Sequence, residues 1–381
     1  MLFVLLLTGC WDRTEVNDVA FVMSSAIDKE GKQYRTTIQI ALPGQLGGNK
    51  GGGGGTSGEK GYFIDSKTGE TLRQSNSLQQ KGISRKLNFS HRRTLLIGED
   101  FAREGIESIM DTLARVPQNR LTVLVIVTKG PAGKLLATNT TLEMFSAEAI
   151  RELAYRSMKS PRILKNTINT LLTEGIDVVL PVAEIIKANT TKGVKSEQTI
   201  RINGLAAFSK NKLAGFLNGD ETTGVLLAMN EAVEPEISVE APEGKGLITV
   251  KFPQYLSIVT PIFEEDQISF RLKVRVRGTV LENASNYELA NSEQIDALEE
   301  KLKEAIEQDI NQGIRKLQAF HSDPIGFGLS LHQKNRSVWE RVKGDWVNIF
   351  PTVAYEVHAD VKVENAGGVI KPFGREEKDL E

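Results

Sequence analysis

Between positions 295 and 317 seven aliphatic residues, Ile295, Leu298, Leu302, Ile306, Ile310, Ile314 and Leu317, recur at steps of three or four. That period places all of them on one side of a helix, and the residues between them are rich in Glu and Lys. The pattern predicts a helix over 292–320, opened by Asn291 with Gln294 three residues on, a capping-box-like start. A helix with one apolar stripe must lie on something, and the flanking sequence supplies a sheet. Arg271 to Arg277 alternates strictly: Leu272, Val274 and Val276 fall on one side, Arg271, Lys273, Arg275 and Arg277 on the other. Tyr355 to Glu364 alternates too, with Val357, Ala359, Val361 and Val363 inward and Glu356, His358, Asp360, Lys362 and Glu364 outward. With strands expected at 237–240, 247–252, 267–281 and 353–364, residues 236–381 read as an α+β domain. Its charged face has two readings. Neighbouring strands pair their charges across the ladder, or the four cations meet anionic lipid or an acidic partner. The first is favoured.

Earlier residues follow a different rhythm. Val19, Phe21 and Met23, then Tyr34 to Ala41, predict a hairpin turned at Glu30-Gly31. A helix is expected over 69–84, carrying Leu72, Leu78 and Ile83. Arg93 to Gly98 and Leu121 to Val127 are apolar runs of strand length. Between them Ile106, Ile109, Met110, Leu113 and Val116 mark a helix that Asp100 can cap. Two buried strands joined by a helix predict parallel pairing with a right-handed crossover. Helices in two pieces broken at Pro161 follow over 140–174, then extended chain from Asp177 to Ile186. Residues 188–198 are polar and read as a linker between an N-terminal α/β region, 10–187, and a middle domain. That domain would open with a hairpin at 199–217 turned at Ser209-Lys210-Asn211, and a helix capped by Asp220 within 199–235.

Composition removes several functions. A formal net charge of −2 over 381 residues is not that of a dedicated nucleic-acid binder. One cysteine, Cys10, makes no internal disulfide and no multi-cysteine zinc site. Of the four histidines, no two stand at His-x₃-His spacing. Residues 43–61 hold ten glycines in nineteen positions, which predicts a mobile surface loop. It is no phosphate loop, because Gly58 is followed by Glu59, and Lys60 by Gly61. Gly326-Phe-Gly328 is too short for a dinucleotide fingerprint, and His91 beside Arg92 and Arg93 reads as a structural histidine at the start of a strand. Asp309 reads as a boundary residue of its helix. No nucleophile elbow, zinc-protease pair or calcium loop is present, so neither a catalytic residue, a metal nor a cofactor is expected.

The start of the sequence constrains location. Leu2 to Leu7 is apolar but far shorter than the roughly 20 residues a membrane-spanning helix needs. It leads into Leu7-Thr8-Gly9-Cys10, which resembles a bacterial lipobox, so residues 1–9 are expected to be part of a lipoprotein signal. They carry no Lys or Arg and so match only the distal part of one. In such signals the cysteine is lipidated, and Cys10 is therefore the expected anchor, held by two or more acyl chains.

Four segments in this order extend the resemblance to the whole chain: Gly9 to Val16 (GCWDRTEV), His91 to Gly98 (HRRTLLIG), Phe208 to Thr223, and Asp323 to Gly328 (DPIGFG). Together they resemble the Ger(x)C family, the C-subunit lipoproteins of spore nutrient germinant receptors. The resemblance implies three mixed α/β domains, each a sheet with flanking helices. It also implies a lipid anchor on the outer face of the spore inner membrane, two integral-membrane partner subunits, and no enzymatic activity. A solute-binding lipoprotein that captures the germinant itself is the alternative. Phe216 and Phe327, each beside glycines, are candidate interface residues.

Overall fold

The computed structural model describes residues 15–42, 61–116, 118–138, 140, 143–187, 198–264 and 267–365. Cys10, the glycine-rich residues 43–60 and residues 188–197 of the expected linker lie outside them.

The strand-rich opening forms β1 (Val19–Glu30) and β2 (Gln33–Ala41), an antiparallel hairpin, with β3 (Tyr62–Gly69) antiparallel on β2. Helix α1 (Leu72–Gly82) and the short β4 (Lys86–Asn88) follow. The parallel unit is β5 (Thr94–Gly98), helices α2 (Glu99–Glu104) and α3 (Glu107–Arg115), and β6 (Leu124–Thr128). Then come α4 (Ala132–Ala137), α5 (Ser146–Ser157), α6 (Leu164–Leu172), β7 (Val179–Lys187), β8 (Gln198–Ser209) and β9 (Lys212–Leu217). These strands make one sheet ordered β3-β2-β1-β5-β6-β7-β8-β9, with β4 parallel to β1 at the side. Strands β1, β5, β6 and β7 are parallel, and the antiparallel strands flank them. Helices cover both faces, as a parallel sheet requires. Phe101, Ile109, Met110 and Leu113 pack on one face, and Leu135, Leu136 and Ile150 on the other.

Helix α7 (Gly219–Ala228) leads to a second sheet, β10 (Glu236–Glu240), β11 (Gly246–Glu264), β12 (Gln267–Ser285) and β13 (Ala354–Asn365), paired in that order. Between β12 and β13 run α8 (Ser292–Ala319), α9 (Phe327–Lys334), α10 (Arg336–Val342) and α11 (Trp346–Ile349). The stripe of α8 is buried on the inner face of this sheet against residues such as Val274, Val276, Val361 and Val363. Asn291 caps it by accepting from Gln294 N at 3.0 Å.

Side chains occupy part of the edges of the second sheet. Glu299 and Glu307 of α8 accept the backbone N–H groups of Val363 and Ala359 on β13, each at 2.8 Å. On β11, beyond the reach of β10, the Asn230 amide accepts from Ser257 N at 2.7 Å and donates to Ser257 O at 2.8 Å. An open edge can pair with other chains, and these bonds take up part of it.

The boundary expected at 188–198 is corrected by the strand pairing. Strands β7 and β8 on either side of it pair antiparallel from Lys187↔Gln198 to Val179↔Ala207, so the hairpin 199–217 is the edge of the first sheet rather than the start of a middle domain. The described residues thus form two sheets, and one apolar core joins them: Leu205, Ala207 and Leu217 of the first sheet share a cluster with α7, α8 and the second sheet. Smaller corrections have local causes. The expected single helix after β5 breaks at Gly105, whose φ of +134° no other residue adopts readily. Asp100 sits in the first turn of α2 rather than capping it. Asn218, not Asp220, caps α7, in a reciprocal pair with Glu221. Helix α1 turns Ser75 and Gln79 inward and leaves Leu78 exposed, because those two side chains hydrogen-bond the Tyr34 and Thr36 carbonyls of β2, each at 3.0 Å.

Candidate functional site

Open parallel sheets bind ligands beyond the carboxyl ends of their strands, where a helix N-terminus offers free N–H groups. Here that place is filled from within. Asp28, at the end of β1, accepts from Ala132 N at 2.6 Å and Gly133 N at 2.8 Å, the first residues of α4. Gly98 leaves room for the carboxylate, since a Cβ there would collide with it. Burial raises the Asp28 pKa despite the two N–H groups. An external phosphate would have to displace a covalently tethered anion.

The most elaborate polar arrangement lies where the two sheets meet. After α8, Asp323 is fully buried and accepts four hydrogen bonds: Gly326 N at 2.9 Å and Phe327 N at 3.0 Å on Oδ1, Gly328 N at 2.8 Å and Trp346 Nε1 at 3.1 Å on Oδ2. Gly326 takes φ +85° to turn the first of these N–H groups toward the carboxylate. Burial pushes the Asp323 carboxyl up to about 6, and Asp177 adds to the rise. Asp177, just before β7, accepts from Asp323 N at 2.8 Å and from Lys210 N at 2.9 Å. Its own N–H donates to Asp323 O at 3.0 Å, Leu329 N donates to Gly175 O at 2.6 Å, and Ser322 Oγ donates to Phe208 O at 2.6 Å. Three segments distant in sequence are stitched into one junction.

Above the junction opens a cleft of about 610 Å³, lined by the 171–178 segment, Lys210 and Asn211 from one sheet and by Trp339, Lys343, Trp346 and Val347 from the other. The Trp339 indole N–H donates to Glu174 at 3.0 Å and holds that carboxyl below its usual range, with Lys343 at 3.8 Å. The sequence signal for this site was present in Asp323-Pro-Ile-Gly-Phe-Gly328: a carboxylate followed by closely spaced N–H donors. The contributions of Asp177 and Trp346 had no local signal.

The expected site residues scatter. Phe327 is fully buried, stacked on Phe270 with ring centroids 4.9 Å apart, so it belongs to the core and presents no interface. Phe216 is half-buried between two cations, with Arg103 5.9 Å and Lys129 5.7 Å from its ring centre. His91 is exposed, edge-on to Phe21 at 5.0 Å, while its neighbour Arg92 is buried and donates to Ser25 and Asn119. The basic strand behaves as the alternation implies. Arg271, Lys273, Arg275 and Arg277 face outward on β12, in register with Glu356, His358, Asp360 and Lys362 of the parallel β13. Two form ion pairs across the ladder, Arg271–Glu356 at 3.4 Å and Arg277–Glu364 at 3.2 Å. Among the described residues there is no cluster of acidic, His or Cys side chains that could hold a metal, and no helix is long and apolar enough to cross a membrane.

Comparison with known proteins assigns this architecture. Residues 12–185 match the family described as "Spore germination protein N-terminal domain", and residues 203–367 match "Spore germination B3/ GerAC like, C-terminal". The chain belongs to the GerC family of spore germination proteins. The "Putative spore germination protein YfkR" of Bacillus subtilis is 38% identical over 97% of this chain and 96% of its own. "Spore germination protein KC" of the same organism is 25% identical over 100% and 97%. The fold is shared with the solved structure titled "Crystal Structure of the GerBC protein", at TM-score 0.58 and 18% identity, covering 90% of this chain and 97% of that one. The two family regions divide between residues 185 and 203, within the β7–β8 hairpin, although the first sheet runs across that point.

Proposed function

We propose that the chain is a non-enzymatic, lipid-anchored subunit of a nutrient-sensing germinant receptor complex that triggers spore germination. The observation that carries this reading is the end-to-end likeness to spore germination proteins. Leu7-Thr8-Gly9-Cys10 supports the anchor, with Cys10 as the lipidated residue on the outer face of the spore inner membrane. Two integral-membrane subunits are the proposed partners. An anchor confines a soluble domain to a thin layer beside such partners and raises its effective concentration there, so weak interfaces suffice. The sequence motifs support a role without catalysis, since the buried carboxylates at Asp28, Asp177 and Asp323 are occupied by backbone N–H groups. The test is gentle detergent extraction of spore inner membrane carrying tagged full-length chain, with mass spectrometry of the amino-terminal peptide and of whatever co-purifies. Acylated Cys10 with two membrane subunits, both lost in Cys10→Ala, is the expected result. An unmodified Cys10, or a chain that comes down alone, overturns it.

One observation favours a second reading, capture of the germinant itself. The junction cleft sets Trp339 and Trp346 beside Glu174 and Lys343, a mix of apolar surface and both signs of charge suited to a small zwitterion. Calorimetric titration with amino acids and sugars checks it: micromolar binding that Lys343→Ala weakens supports capture, and no heat for any of them removes it.

A further inference from the structure

The outer face of the second sheet has a feature that intrachain pairing does not explain. Lys273 and Arg275 lie between the two ion-paired positions of β12, and among the described residues neither side chain has an ion-pair or hydrogen-bond partner. Asp360 stands beside Arg275 in register but is not bonded to it. On the other side, β11 sets Leu256 opposite Arg275 and Ile258 opposite Lys273. Both aliphatic residues are 50% exposed in mid-strand, where alternation on a solvated face calls for polar side chains. Leu256, Ile258, Thr260, Arg271, Lys273 and Arg275 together line a shallow groove of about 240 Å³.

We propose that this groove is a docking surface for a segment of a protein partner that carries aliphatic side chains and carboxylates, the aliphatic ones against Leu256 and Ile258 and the carboxylates on Lys273 and Arg275. The partner lies on the face of the sheet, where the groove runs between β11 and β12, and Asn230, Glu299 and Glu307 occupy part of the edges. Charge complementarity selects a protein segment over an anionic bilayer. Glu356, Asp360 and Glu364 project from the same face one strand away, about 4.8 Å across the ladder. A flat lipid surface meeting the cations would meet those carboxylates as well, whereas a single segment can run along the β11–β12 groove and avoid them. The proposal goes beyond the receptor-subunit reading and does not rest on it: co-purification reads assembly, whereas the experiment below reads which face is covered, and either can fail alone.

The experiment places a benzoylphenylalanine photoprobe at position 258 of the full chain in sporulating cells and maps the adduct by mass spectrometry. The expected adduct is a segment of another protein rich in Asp or Glu and aliphatic residues. Its yield falls at least fivefold in Lys273→Glu/Arg275→Glu and returns when the mapped acids are changed to Lys. Lys273→Gln/Arg275→Gln, which removes charge without repulsion, gives an intermediate yield at unchanged melting temperature, so that loss is not unfolding. A lipid adduct, an adduct on a second copy or on residues 366–381 of the same chain, a target segment without carboxylates, or no adduct overturns the proposal.

Discussion

At Asp323 one buried carboxylate holds four donors drawn from two segments, and that arrangement demands an acceptor on both oxygens. Asn at 323 would turn an amide N–H₂ toward Gly328 N and Trp346 Nε1 or toward Gly326 N and Phe327 N, donor against donor. Asp323→Asn is therefore expected to destabilise the chain by about 1–3 kcal/mol, the usual cost of orphaned buried polar groups. It should also change the pH dependence. A carboxyl raised to about 6 in the folded chain and near about 3.9 when unfolded takes up a proton on folding between those values. Its contribution to stability is present in full below about pH 4 and is lost as pH rises through about 6. The advantage of wild type over Asp323→Asn in urea midpoint, followed across pH 4–7, should therefore narrow as pH rises through about 6; a constant or widening difference refutes the titration. At the same scale the two candidate phenylalanines part. Phe327→Ala empties a fully buried site and should cost about 3–5 kcal/mol, while Phe216→Ala, half-buried at the rim of the first core between Arg103 and Lys129, should lower the melting temperature clearly less. The sequence showed both as phenylalanine beside glycine. What separates them is Phe270, which stacks on one and belongs to a distant strand.

Elements were legible where their pattern was amphipathic and self-contained. The seven-residue stripe located α8, and the alternation over 271–277 of β12 and 355–364 of β13 assigned the inward and outward residues of those stretches. Helix α1 was misread at its face because it covers a hairpin whose carbonyls need donors, and a polar interface leaves no apolar period. The contact of α7 with α8 was also illegible. A Cβ at Gly224 would collide with the Asp309 carbonyl, and one at Gly313 would stand 2.6 Å from Val225 Cγ2, so the helices cross on their glycines. Gly224→Ala gains up to about 1 kcal/mol of helix propensity but overpacks against backbone, a cost of about 1–3 kcal/mol. The expected result is net destabilisation by chemical denaturation, larger than for Gly82→Ala, where a Cβ meets open space. On the opposite face of the same domain the Arg271–Glu356 pair is exposed and should contribute little. A double-mutant cycle with Arg271→Glu and Glu356→Arg should return a small favourable coupling that fades in high salt; none at low salt would mean the pair does not form in solution.

For the molecule as a whole, strand content foretold a mixed α/β chain, but not that the two sheets are continuous through one core. The polar stretch near 188–198 looks like a linker because a hairpin connection and an interdomain linker share a composition, and only pairing tells them apart. The continuity has a mechanical consequence at Gly175 and Gly328. A Cβ at Gly328 would stand 2.9 Å from Gly175 Cα and 2.6 Å from Trp346 Nε1, and Leu329 N bonds Gly175 O beside them. Gly328→Ala must therefore push the 322–329 segment away from the first sheet or break the Trp346–Asp323 bond, a strain applied at the rim of the core, where Trp346 and Phe327 sit. If the junction is what couples them, the wild type should unfold in one calorimetric transition. The variant should then show two, with Trp339 and Trp346 losing their near-ultraviolet signal at the lower one. Each half keeps its own helix-covered sheet, so neither should melt outright at the temperature of separation. A single transition merely shifted downward would locate the coupling instead in the apolar contact of Leu205, Ala207 and Leu217 with α7 and α8. Asp309 of α8, raised to about 6 by burial and by Asp220 of α7, titrates beside that contact as Asp323 does at the junction, so the number of transitions in Gly328→Ala, and not their pH dependence, tells the two apart.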